Sequence, residues 1–77
     1  HLLVVRHKDE VGVLAHVLNS LQEANINVQE MQNIVFEGAL AACAHIQINP
    51  GPGASVLQKI ESNQAIFAVD VVAMEDA

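Results

Sequence analysis

The stretch His7-Lys8-Asp9-Glu10-Val11-Gly12-Val13-Leu14 decides how this chain is read, because an apolar extended run ends in it and a helical pattern begins in it. Before it, Leu2-Leu3-Val4-Val5 is a short continuous apolar run followed by Arg6 and His7, the pattern of a central strand covered on both faces, and a strand is expected over 2–7. After it, Leu14, Leu18, Leu21 and Ala24 recur at helical spacing with Val13 and Val17 beside them. Asn19, Ser20, Gln22 and Glu23 fall elsewhere, so the spacing predicts an amphipathic helix from Gly12 to near Asn25. A swing from extended to helical backbone in so few residues favours Gly12, which tolerates unusual dihedrals and lets another group come close. Asp9 is expected to cap the helix, and with Glu10 to suit the positive end of its dipole. Amides left uncommitted in such a turn also suit a small polar ligand, and both uses stay open.

Downstream of the helix, residues 27–37 mix Val28, Met31, Ile34, Val35 and Phe36 with polar residues, and Glu37-Gly38 supplies a hairpin-type turn. Leu40, Ala42, Ala44, Ile46 and Ile48 then alternate with Ala41, Cys43, His45, Gln47 and Asn49, giving one oily and one more polar face. Asn49-Pro50-Gly51-Pro52-Gly53 breaks the chain strongly. A short helix follows with Val56, Leu57 and Ile60 inward and Asn63 near its end. The last strand, 65 to about 74, is expected to carry Phe67, Val69, Val71 and Ala73 on one face, before an acidic end, 75–77, that is expected to fray.

The order β-α-β-β-α-β is that of a ferredoxin-like α+β sandwich, a four-stranded antiparallel sheet with two helices on one face. Leu2, Val4, Ile66 and Val72 give the first and last strands apolar residues on the other side as well, so part of the open face is expected to be covered. The second strand lies at the sheet edge in this topology. It has no Pro or Lys and only Glu30 and Glu37 to discourage pairing, which points to a homodimer that continues the sheet.

At 77 residues the chain makes one small domain, near the size where a single core is barely sufficient and association adds the remainder. It begins at His1 and reads as a fragment of a longer enzyme. Its net charge of −6, with Arg6, Lys8 and Lys59 as its only fixed cations, argues against nucleic acid and against anionic membrane surfaces. Cys43 is alone, which excludes a disulfide framework or a paired-cysteine metal motif, fits a reducing cytoplasm and leaves the thiol a packing role. No His, Cys or Asp spacing specifies a metal site, and His16 and His45 read as surface or interface residues. No cofactor is expected.

Taken together, the turn, the following Asn25-Ile26-Asn27-Val28 and the strand order resemble an ACT domain over essentially residues 2–74. Within that family the chain is most similar to the C-terminal regulatory domain of D-3-phosphoglycerate dehydrogenase. That domain carries a His-x-Asn-x-Pro-Gly-Val-Leu turn and, at the same separation, a Gly-Val-Asn-Ile segment. The resemblance implies a regulatory module of an NAD-dependent enzyme of serine biosynthesis, dimerising through its first helix and second strand. It further implies an amino acid, serine foremost, held between two copies by His7, Asp9 and Asn27, with Val11, Gly12, Val13 and Leu14 forming the turn around it. Asp9 stands where the family has Asn, and an ionised carboxylate accepts an ammonium but repels a carboxylate. Val11 replaces the Pro that stiffens the turn.

Each of these residues also has a plainer use: His7 as a half-exposed strand-end histidine, Asp9 as a cap, Asn27 as a turn residue, Gly12 as a structural glycine. Other activities of the same topology lack their residues. An acylphosphatase needs an arginine phosphate cradle, and Arg6 is followed by Asp9 and Glu10. A metallochaperone needs a thiol pair, and an RNA-binding module needs aromatic platforms on its central strands, which here are aliphatic. The rival that survives is a dimerisation module whose ligand site is inactive.

Overall fold

The computed structural model describes residues 1–36, 38 and 40–73. Its elements are β1 (Leu2–Lys8), α1 (Val13–Glu23), β2 (Asn27–Val35), β3 (Ala41–Asn49), α2 (Ala54–Glu61) and β4 (Ile66–Val72). The four strands form one antiparallel sheet in the order β2-β3-β1-β4, which is the ferredoxin-like arrangement expected from the strand and helix order. Both β2 and β4 are edges. Glu37 and residues 74–77, which include the expected hairpin residue and the acidic end, lie outside the described residues; Gly38 stands in a turn at φ 76°, where a side chain would be strained.

One sheet face and the two helices share the core. Leu3 and Val5 of β1, Ala44, Ile46 and Ile48 of β3, Val17 and Leu21 of α1 and Ile60 of α2 are fully buried together. Burying a large aliphatic side chain of this kind contributes about 1.5–3 kcal/mol, so these positions dominate the stability of a small domain. α1 ends in a paired hydrogen-bond motif, Ile26 N–H to Leu21 O and Asn25 N–H to Gln22 O, both 3.0 Å. Asn25 takes the left-handed backbone, φ 58°, that this ending requires, and the buried Ile26 and Leu21 close it. Between the helices, the His16 ring of α1 donates from Nε2 toward Lys59 O at 3.1 Å and Ile60 O at 3.2 Å, carbonyls at the end of α2 that also accept from Ser62 and Asn63. Glu23 and Lys59 form an ion pair beside it.

Three details differ from the sequence reading. Leu40 precedes β3 and is exposed rather than part of its oily face. In β4 a bulge lies opposite Arg6 and His7: His7 pairs with Ile66 and Arg6 with Ala68, leaving Phe67 as the extra residue. Ile66 therefore turns into the core and Phe67, 56% exposed, turns out, reversing the alternation expected from Val69 and Val71. Cys43 is buried, yet its register partners Arg6 and Ile34 place it on the open face rather than in the main cluster.

Candidate functional site

The turn joining β1 to α1 is tied down from both sides. Lys8 N–H donates to Ala65 O at 2.8 Å and Asp9 N–H to Leu40 O at 2.9 Å, so the loops before β4 and before β3 fix where the turn begins. Gly12 occupies the helix N-cap with φ 89°, a left-handed backbone, and a Cβ built there meets nothing within 4 Å. Glycine is needed for conformation rather than for space. Asp9 does not cap α1 as expected, because the cap position falls on Gly12 and no side chain bonds the opening amides. His16 N–H reaches Gly12 O, while among the described residues the Leu14 and Ala15 N–H groups find no acceptor. These amides remain open to an anionic group, where the helix dipole favours it. Val11 and Asp9 are exposed beside them, Leu14 is half-buried, and Val13 is buried in the core.

His7 sits on the inner side of this turn and is only 2% exposed. Its Nδ1 lies 2.8 Å from Lys8 O, and its Nε2 lies 3.0 Å from Asn33 Oδ1 of β2. The two side chains meet across β3, whose residues at that level are Ala42, opposite His7, and Ala44, opposite Asn33. Only small side chains there leave room for the contact. Nothing in the sequence around Asn33 marks it for this contact. A bulge at Gln29, between the pairs Val28 with Ile48 and Glu30 with Gln47, shifts the phase of β2 and so turns Asn33 toward His7.

Asn27 lies elsewhere. It pairs with Asn49, whereas His7 pairs with Ala42 of the same strand. The separation of seven residues along β3 amounts to about 23 Å, so one chain does not bring Asn27 to the turn. Asn27 instead rims a groove of about 360 Å³ lined by Leu18, Gln22, Asn25, Ile26 and Val28, at the carbonyl end of α1. The turn and Asn27 thus stand at opposite ends of both α1 and the edge strand β2. That edge is thinly covered, with Met31 40%, Ile34 39% and Val35 50% exposed.

Compared by sequence, the chain matches no family model and no curated protein. By structure it is similar to part of a formyltetrahydrofolate deformylase from Pseudomonas putida, with a TM-score of 0.74 at 14% identity, over 95% of this chain and 28% of that one. A quorum-quenching acylase matches with a TM-score of 0.74 at 19% identity, over 90% of this chain and 26% of the acylase. The ACT domain of a GTP pyrophosphokinase from Chlorobium tepidum matches with a TM-score of 0.64 at 11% identity, over 99% of this chain and 89% of that domain. The chain thus spans about a quarter of the length of the first two. Among the described residues no helix is long and apolar enough to cross a membrane. Likeness at these identities concerns architecture alone, and this chain shares its architecture with that ACT domain.

Proposed function

We propose that this domain is a regulatory module that binds a small amino acid, serine foremost, between two copies of itself and so controls attached catalytic domains. The observation that carries the reading is the placement of the two half-sites at opposite ends of one open edge strand. Antiparallel pairing of β2 with β2 of a second copy sets Asn27 of one beside Val35 of the other, at the end of the sheet where that copy's turn lies. The ligand carboxylate then takes the Leu14 and Ala15 amides, the ammonium takes Asp9, and Asn27 of the second copy closes the site. Because the ligand touches both copies, it favours the paired arrangement, and that arrangement binds it more tightly in return. Chemistry and cofactor belong to the attached enzyme, for which the resemblance supports an NAD-dependent phosphoglycerate dehydrogenase in the cytoplasm.

One observation favours the rival reading of a dimerising module with an inactive site: both ring nitrogens of His7 are already bonded within the chain. Isothermal titration calorimetry with serine, then glycine, separates the two. Saturable binding at one or two sites per dimer, lost in Asn27→Ala, is the expected result. A folded dimer that takes up no amino acid would leave the structural role alone.

A further inference from the structure

We propose that Asn33 is a positioning residue for the effector turn, gripping the His7 ring from the edge strand and so joining the turn to the strand on which copies pair. The inference rests on the amino-acid-binding reading given above. His7 is buried with one ring nitrogen on its own strand, at Lys8 O, and the other on β2, at Asn33. Since Lys8 O only accepts, Nδ1 carries a proton. A neutral ring then offers Nε2 as an acceptor, which an asparagine amide meets with its N–H; a cationic ring offers Nε2–H, which the amide meets with Oδ1, the atom that faces it here. An amide serves both forms by turning over, and neither a carboxylate nor an apolar side chain does.

The contact has been given room. Ala42 and Ala44, 1% and 0% exposed, are the β3 residues over which it passes, and a bulge at Gln29 is needed to aim Asn33 inward. Among the described residues His7–Asn33 is, apart from the Glu23–Lys59 ion pair, the one hydrogen bond between side chains, and it spans 26 positions from the turn to the edge strand. A shift of β2 on pairing with a second copy therefore acts on the ring beside the turn, and a ligand that moves the turn acts on β2.

The test uses the ¹⁵N-labelled chain and two variants, Asn33→Leu, which keeps the branching at Cγ and removes the amide, and Asn33→Asp, which only accepts. Long-range ¹H–¹⁵N spectra of the histidine rings report His7 directly and need no ligand; backbone amide spectra verify the fold. In the parent chain His7 is expected to show a single fixed form with Nδ1 protonated. Asn33→Leu is expected to move the Nε2 signal and to weaken serine binding about tenfold, the worth of one buried hydrogen bond. Asn33→Asp, whose carboxylate can only accept from Nε2–H, is expected to move the Nε2 signal toward that of a protonated nitrogen. His7 signals unchanged in both folded variants would overturn the proposal, as would moved signals with serine affinity within about twofold of the parent, well short of a hydrogen bond's worth. If the signals move as expected but the parent chain binds no amino acid, the Asn33 grip on His7 stands and the effector reading is the part that fails.

Discussion

Replacing Gly12 with alanine isolates the backbone requirement of the turn. A Cβ at this position meets nothing within 4 Å, so the substitution adds no clash and its whole cost lies in φ 89°. The left-handed region costs a non-glycine residue about 1–2 kcal/mol. The unfolded chain loses freedom when glycine is replaced, which returns about 0.4–1 kcal/mol, so the net loss is about 1 kcal/mol. Gly53 is the control: it too has open space, but it holds the α2 N-cap with φ −81° and ψ 172°, an extended backbone open to any residue. Gly53→Ser supplies a capping oxygen and stiffens the unfolded chain, a net gain of about 0.5–1 kcal/mol. In urea, with a slope of about 1 kcal/mol per molar, Gly12→Ala lowers the midpoint by about 1 M and Gly53→Ser raises it by about half that or more. Both are measured at one chain concentration, since association adds to apparent stability. An unchanged midpoint for Gly12→Ala would refute the reasoning, because it would mean that the turn does not hold the left-handed backbone.

Other consequences are independent of the ligand. Asn25→Ala is expected to cost about 1 kcal/mol by forcing alanine into the left-handed closing position of α1, whereas Asn25→Gly should be close to neutral; equal losses in denaturant melts would argue against that ending. His16→Ala removes the donor that meets Lys59 O and Ile60 O, and a loss of about 1 kcal/mol is expected in the same assay. Antiparallel pairing about the middle of Asn27–Val35 sets Met31 against its own copy, so Met31→Lys places like charges face to face. Sedimentation should then show a folded monomer, and a dimer undiminished by this change would remove β2 from the interface.

Much of the fold was legible because its signals are local. The alternation of Ala42, Ala44, Ile46 and Ile48, the helical spacing of Leu14, Leu18 and Leu21, and the demand of a tight turn for Gly12 each act within a few residues. What could not be read depends on other strands. The bulges at Gln29 and Phe67 add one residue to a strand without any mark in composition, and each reverses the facing of what lies beyond it. A strict period of two puts Phe67 on the face of Val69 and gives no sign that Asn33 turns inward. His7 looked like a half-exposed strand end because its burial depends on two alanines on the neighbouring strand. His16 meets α2 only once the helices are side by side. Asp9 stands where a cap is expected before a helical pattern, but the helix opens at Gly12.

The claim that two chains build one site is tested most directly by mixing two defective ones. Asp9 and Asn27 are both exposed, so Asp9→Ala and Asn27→Ala should each fold and dimerise, and each alone should bind little serine. In an equal mixture about half the dimers are hybrids, and each hybrid holds one site with both native residues. Calorimetry of the mixture should therefore recover serine binding at about a quarter of the parent's sites, with parental affinity. No recovery from folded hybrid dimers would contradict a shared site and leave pairing as the only role for the edge strand.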